Sequence, residues 1–179
     1  MSALLRAAAA TAALVAAVLL QGCATPRVAD DGPPWMSGRL SVRVDANAGQ
    51  AARSLDAGFD LRGDDEQGEL RLATPLGTQI ARARWTRDEA LLDLGQGETR
   101  YPDLESLSRA AVGEVLPLRA LPDWLAGRPW PGAAVRPGPE GFEQLGWQVS
   151  LARLAERRLE ALREQPRRVL VRVRLEPAE

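Results

Sequence analysis

The chain has 179 residues, of which 45% are hydrophobic and 26% are charged, and this composition suits one globular domain with a buried core. The net charge of -1 gives no electrostatic reason to expect a nucleic-acid partner. Every basic residue is arginine, since the sequence has neither lysine nor histidine, and catalysis by a histidine or lysine side chain is therefore excluded.

The first 22 residues have the organisation of a signal peptide. One positive charge in residues 1–6 precedes an apolar run of 14 residues, which is too short to span a bilayer comfortably. The ending Leu20-Gln21-Gly22-Cys23 resembles a bacterial lipobox, so we expect cleavage after Gly22 and lipidation of Cys23, the only cysteine. The alternative is an ordinary secreted protein with a stray cysteine.

The residues that follow Cys23 indicate a destination and a tether. Ala24 stands where many lipoproteins retained in the inner membrane have aspartate, which favours the outer membrane. Residues 23–34 are polar and rich in proline and glycine, as expected of a flexible connection between a lipidated N-terminus and a folded domain. We therefore predict a signal peptide at 1–22, a tether at 23–34 and a single domain at 35–179.

The first part of that domain alternates apolar and polar residues with a period of two, which predicts β-strands. The predicted strands cover residues 36–45, 54–62, the two arms of a hairpin at 68–85, and residues 90–94 and 98–101. Short turns separate them, so we expect an antiparallel meander.

The turn of the central hairpin carries a hydrophobic residue at its apex. Pro75 suits the second position of a β-turn and Gly77 suits the fourth, which leaves Leu76 at the tip. A leucine at a turn apex cannot fold back onto its own sheet. One interpretation is that a neighbouring loop covers Leu76, and the other is that Leu76 forms a small finger that faces a membrane.

Helices are predicted in the middle of the domain. Asp103 suits the N-cap of a helix that ends at Gly113. The apolar face of that helix comprises Leu104, Leu107, Ala111 and Val112. A second short helix is predicted at 118–126 with Gly127 as its C-cap, and the proline-rich residues 128–141 are predicted to form a long loop.

The C-terminal part contains two predicted strands and one ambiguous segment. Residues 144–150 and 168–176 have the period and composition of strands. Residues 151–164 are strong helix formers with apolar residues at helical spacing, although they adjoin strands on both sides. The residues of this segment alone do not decide whether it forms a helix or a strand.

The sequence has no arrangement typical of an enzyme or a cofactor site. It lacks a nucleophile elbow, a phosphate-binding glycine loop and a paired metal-ligand motif. The three adjacent acids at 64–66 suggest calcium, but the spacing of a calcium loop is missing and a solvated turn explains them. A hydrolase that uses only carboxylates stays as an alternative. A curved sheet with two helices instead suggests a container for an apolar ligand, without metal or cofactor.

Several motifs in a fixed order resemble the LolB family of outer-membrane lipoprotein receptors. After the lipidated cysteine come Gly-Arg-Leu-x-Val at 38–42 and Gly-Glu-Leu-Arg-Leu-x-x-Pro-Leu-Gly at 68–77. These are followed by Leu116-Pro117-Leu118 with Leu121, by Trp124-Leu125-x-Gly127-x-Pro129, and by Gln144-x-Gly146-Trp147. The resemblance covers about residues 35–175. Two departures are the absence of an aromatic residue after the Gly-Trp motif and of a tryptophan near the C-terminus.

The resemblance implies a mainly β (α+β) fold, an incomplete antiparallel β-barrel whose covering helices enclose an apolar cavity. It implies that residues 157–163 form a strand paired with residues 168–176. It also implies a function without nucleotide or catalysis: acceptance of acylated lipoproteins from the periplasmic carrier LolA and their insertion into the inner leaflet of the outer membrane. Pro75, Leu76 and Gly77 match the family's membrane-insertion loop, and we expect a monomer.

Three tryptophans could serve either in ligand binding or in core packing. Trp85, Trp124 and Trp147 are candidates to line a lipid cavity, but filling a core is the favoured role for each one, and a buried indole N–H would need a partner. A different class of function is also open, namely a structural or assembly-factor lipoprotein that packs against an outer-membrane machine. That alternative predicts a stable partner complex and no empty apolar cavity.

Overall fold

The computed structural model describes residues 32–47 and 49–177, and a single antiparallel sheet of eleven strands dominates it. The first six strands are β1 (Met36–Val44), β2 (Arg53–Gly63), β3 (Gly68–Ala73), β4 (Gln79–Trp85), β5 (Ala90–Asp93) and β6 (Glu98–Tyr101). The remaining strands are β7 (Val135–Gly138), β8 (Gly141–Gln144), β9 (Trp147–Ser150), β10 (Arg158–Arg163) and β11 (Val169–Leu175).

Consecutive strands pair with one another except β6 and β7, and β1 also pairs with β11. That pairing joins two meanders, one from β1 to β6 and one from β7 to β11, into one sheet. The helices α1 (Leu104–Val112) and α2 (Leu121–Leu125) connect the two edge strands β6 and β7. The sheet is not closed between those edges, and this confirms the expected incomplete barrel with helices.

The core lies on one face of the sheet because apolar residues occupy alternate positions in its strands. At the β1–β11 junction the register places Val42 opposite Val171 and Leu40 opposite Val173, and all four are buried. Trp124 of α2 is fully buried in the same cluster. The helices and the inner face of the sheet therefore share one hydrophobic core.

The predicted caps of α1 are confirmed. The Asp103 carboxylate accepts a hydrogen bond from the backbone N–H of Ser106 at 2.7 Å, and this bond lowers the pKa of Asp103. Gly113 ends the helix in the left-handed conformation, at φ 79°. The predicted apolar face differs in part, because Leu104 and Leu107 are buried together with Ser108 whereas Ala111 is exposed.

Three predicted boundaries in the following region are wrong. α2 is shorter than predicted because residues 118–120 form a turn before it. The predicted loop at 128–141 contains strand β7, which tolerates Pro137 because an edge strand leaves one side unpaired. The predicted strand at 144–150 belongs to a hairpin, since Leu145 and Gly146 have φ of 54° and 77° and form a tight turn between β8 and β9.

The ambiguous segment adopts the strand that the family resemblance implies. Leu154–Glu156 form one short 3-10 turn, after which Arg158–Arg163 form β10 and pair with both β9 and β11. Leu159 and Ala161 are buried in the core by this pairing. Tertiary burial thus outweighs the helix propensity of this segment.

A buried carboxylate organises the outer face of β3. Glu69 accepts hydrogen bonds from Arg71 at 2.7 Å, from Arg82 at 2.6 Å and from Arg62 at 3.1 Å. The guanidinium groups of Arg62 and Arg71 also lie 4.4 and 4.3 Å from the ring centroid of Trp35. Burial alone would raise the pKa of Glu69, but the three arginines outweigh it and lower that pKa from 4.5 to about 2.

We expect Glu69→Gln to destabilise the protein in a pH-dependent manner. Because the pKa falls from 4.5 in the unfolded chain to about 2 in the fold, the ionised carboxylate stabilises the fold above pH 4.5. This contribution disappears as the pH falls from 4.5 towards 2. Urea unfolding should show a loss of about 2–3 kcal/mol at pH 7 and a much smaller difference near pH 2.

Glu98→Gln is the matched control for this prediction, because it removes only the exposed ion pair with Arg84. It should cost about 0–1 kcal/mol at either pH. Equal unfolding free energies for Glu69→Gln and the unsubstituted protein at pH 7 would contradict the assignment.

The predicted signal peptide, Cys23 and residues 24–31 of the predicted tether lie outside the described residues.

Candidate functional site

An apolar cavity of about 260 Å³ opens between strands β1 to β4 and the C-terminal end of α1. Its lining is almost entirely aliphatic, with Arg53 and Ser54 as the only polar residues. The apolar residues that line it are Val42, Val44, Leu55, Leu72, Ile80, Ala81, Leu94, Ala111 and Val112. A concave aliphatic surface with few polar groups suits a hydrocarbon ligand, since it offers little hydrogen bonding to a polar one.

Strand periodicity and the α1 helix together build this cavity. Val42, Leu55 and Leu72 are inward-facing residues of three adjacent strands. Ala111 and Val112, at the end of α1, line the cavity as well. Because Ala111 is small and exposed, it leaves the cavity accessible from solvent at this end of the helix.

The segment after α1 is fixed to the sheet by ion pairs. Glu114 lies 2.6 Å from the guanidinium of Arg163 and 3.5 Å from that of Arg167. Arg167 is buried and also donates hydrogen bonds to the backbone oxygens of Asp45 and Ala51. These contacts hold the C-terminal end of α1 over the cavity.

The tip of the β3–β4 hairpin, residues 74–78, forms a narrow projection that we call the Leu76 finger. The Gly77 N–H donates to the Thr74 oxygen at 2.9 Å, and the Thr74 N–H donates to the Thr78 oxygen at 2.8 Å. Gly77 has φ 84°, which favours glycine at this position. Leu76 is 94% exposed, so no neighbouring loop covers it among the described residues.

The finger and the cavity are parts of the same hairpin. Leu72 precedes the finger, Ile80 and Ala81 follow it, and all three line the cavity. Leu94, next to the β5–β6 turn, also lines the cavity and is 59% exposed. Leu94 was not among the predicted site residues, although a leucine beside the Gly95-Gln96-Gly97 turn offered the same signal as Leu76.

The three tryptophans singled out from the sequence are buried in the core and do not line this cavity. Trp85 donates its indole N–H to the Asp64 backbone oxygen at 2.9 Å. Trp124 packs edge-on against Trp147, with ring centroids 6.5 Å apart. Their direct contact with a ligand stays a prediction.

A buried glutamine fixes α2 beneath the sheet. The Gln144 side-chain oxygen accepts from the indole N–H of Trp124 and from the backbone N–H of Trp130, both at 2.9 Å. Its amide nitrogen donates to the backbone oxygens of Trp130 and Ala133 at 2.7 and 2.9 Å. All polar atoms of this buried side chain are therefore satisfied, and α2 is held against β8.

Two acidic residues of the turn at 64–66 accept hydrogen bonds that hold the turn and attach Trp130 to it. The Asp64 carboxylate accepts from the backbone N–H groups of Glu66 and Gln67 at 2.8 and 2.9 Å. The Asp65 carboxylate accepts from the indole N–H of Trp130 at 3.0 Å. In the part of the chain that the structure covers, no group of acidic, cysteine or histidine side chains could hold a metal ion.

Among residues 32–47 and 49–177, no helix is both long and apolar enough to cross a bilayer.

Comparison with known proteins assigns the family. The model of the family described as outer membrane lipoprotein LolB matches residues 35–176. The chain is 35% identical over 152 residues to the outer-membrane lipoprotein LolB of Ralstonia nicotianae, covering 75% of this chain and 72% of the relative. It is 34% identical over 152 residues to that of Chromobacterium violaceum, covering 78% and 80%, and 30% identical over 171 residues to that of Bordetella petrii, covering 87% and 85%.

The family model spans the whole sheet and both helices. LolB is a family of lipoprotein-localisation factors and not a known family of enzymes. The chain therefore belongs to the LolB family of outer-membrane lipoproteins and is a lipoprotein-localisation factor of the outer membrane.

Proposed function

We propose that this protein accepts acylated lipoproteins from the periplasmic carrier LolA and inserts them into the inner leaflet of the outer membrane, as a monomer and without nucleotide or catalysis. The observation that carries the proposal is the β3–β4 hairpin, because it lines an apolar cavity and also presents Leu76 at an exposed tip. A hydrocarbon chain in the cavity would thus lie beside the element that contacts the membrane.

The energetics of such a transfer need no chemical step. Each methylene removed from water contributes about 0.8 kcal/mol, so a cavity open to solvent holds acyl chains less well than a bilayer that buries them completely. No covalent bond forms or breaks in the cargo. Acyl chains would move downhill from the cavity of this protein to the membrane.

The anchor and the finger have different tasks in this proposal. Burying one leucine contributes about 1.5–3 kcal/mol, which can bias docking but cannot anchor a protein. Cys23, once cleaved from the 1–22 signal peptide and acylated, would supply the anchor. The eleven residues 24–34 can span at most about 40 Å, so the 35–179 domain could turn the Leu76 finger towards the same membrane.

The structural or assembly-factor alternative is less well supported. It predicts no empty apolar cavity, whereas the described residues line an open one of about 260 Å³.

The test is a transfer assay with the full lipidated chain in liposomes. A carrier loaded with an acylated lipoprotein is added without nucleotide. Photo-crosslinking of cargo to this protein measures uptake, and cargo resistant to alkaline extraction measures delivery. We expect both signals, with delivery following uptake. Cargo that stays on a carrier shown to be competent with another receptor would contradict the proposal.

A further inference from the structure

The outer face of the sheet carries a second depression of about 550 Å³, which we call the arginine trough. Its floor is formed by residues of β1, β2, β10 and β11, and it shares no lining residue with the apolar cavity. Pro75 of the Leu76 finger lies on its boundary, as do Glu140 and residues 152–153. The trough therefore adjoins the finger from the side of the sheet opposite the core.

Three arginines stand directly beside one another across this floor. The strand register places Arg39 of β1 opposite Arg174 of β11, and Arg174 opposite Arg158 of β10. All three line the trough. Like charges at directly opposed positions destabilise a sheet, so this row is unfavourable in the protein alone.

The acids nearby do not neutralise the row. The Arg158 guanidinium lies 3.7 Å from one carboxylate oxygen of Glu156. Arg39 and Arg174 are exposed and make no ion pair or hydrogen bond with any residue that the structure describes. Glu160 pairs with Arg172 at 2.7 Å instead. Asp56 and Glu140 also line the trough, but neither pairs with the row among residues 32–47 and 49–177.

We propose that the arginine trough binds the phosphate group of an anionic phospholipid in the membrane that the Leu76 finger enters. Guanidinium groups recognise phosphate oxygens through paired hydrogen bonds, and two free ones lie side by side here. The adjoining finger favours a lipid over an acidic protein, because a leucine inserted among acyl chains brings the trough to headgroup level. This inference rests on the proposed function in taking the finger as the part that faces the membrane.

The test uses the full chain in non-ionic detergent micelles, titrated with dihexanoyl phosphatidylglycerol or dihexanoyl phosphatidylcholine and followed by calorimetry. We expect the anionic lipid to bind and the zwitterionic lipid not to bind measurably. The double variant Arg39→Ala/Arg174→Ala should weaken binding about tenfold or more, because it removes both unpaired guanidinium groups. Its unfolding free energy should not fall, since like-charge repulsion is removed.

Arg43→Ala is the matched control. Arg43 is exposed on the same strand and face, lies outside the trough, and stands opposite Leu170 rather than another arginine. Its replacement should leave lipid binding unchanged.

Four results would overturn the proposal. The first is equal binding of the two lipids, and the second is undiminished lipid binding by the double variant. The third is full displacement of the bound lipid by an equal concentration of inorganic phosphate. The fourth is a double variant that loses cargo uptake but retains lipid binding. The third would indicate a free-phosphate site and the fourth an acidic protein partner. Leu76→Glu should still bind the short-chain lipid, so failure of cargo transfer with intact lipid binding would count against the proposed function alone.

Discussion

Leu76→Glu should lower the delivery of lipoprotein to liposomes by about 10- to 100-fold while leaving uptake from the carrier unchanged. The magnitude corresponds to the 1.5–3 kcal/mol gained when a leucine is buried, which a charged carboxylate would lose. Uptake is spared because Leu76 is 94% exposed and does not line the apolar cavity. Crosslinked cargo and alkali-resistant cargo, measured in the same reaction, separate the two steps.

The chain offers a matched control at another hairpin. Leu145 is 48% exposed in the turn between β8 and β9, so Leu145→Glu places the same charge at the apex of a different turn. It should deliver cargo normally. If Leu76→Glu also delivered cargo at the normal rate, the finger would not be the membrane contact. If uptake fell in parallel with delivery, Leu76 would act on the carrier side.

The strands and the finger were accessible from sequence because their signals are local. Leu40, Val42 and Val44 alternate with polar residues, and the register with β11 buries all three. The Pro75-Leu76-Gly77 turn specifies its own conformation, so the position of Leu76 at the apex could be predicted from a few residues, whereas its exposure depends on the neighbouring loops. Strand β7 could not be predicted because it has no alternating hydrophobic pattern. As an edge strand it needs neither a hydrophobic face nor a backbone N–H donor at Pro137.

The division between cavity and core could not be predicted in the same way. Leu55 and Phe59 both face inward from β2, yet only Leu55 lines the cavity, since the outcome depends on where α1 ends. Trp124 is buried where the Gln144 side chain bonds both its indole N–H and the backbone of Trp130, and these contacts are distant in sequence. The arginine row is equally hidden in the sequence, because it arises only when β1 pairs with β11.

Ala111→Trp should abolish most cargo uptake, and with it delivery, because an indole at the end of α1 would occupy the apolar cavity. Ala111 lines the cavity of about 260 Å³ and is exposed, so the larger side chain can enter the cavity without repacking the core. Uptake measured by crosslinking should fall about tenfold or more. Lipid binding in the arginine trough should be unaffected, since the two sites share no residue.

Ala110→Trp is the control that isolates the effect of position. Ala110 is the neighbouring exposed residue of α1 and does not line the cavity, and the change in helix propensity is the same for both substitutions. Ala110→Trp should therefore take up cargo normally. If the two variants take up cargo equally well, the acyl chains bind elsewhere. The buried surface around Trp85, Trp124 and Trp147, opened by movement of α2, would then become the place to search, because it is the other large apolar region on the same face of the sheet.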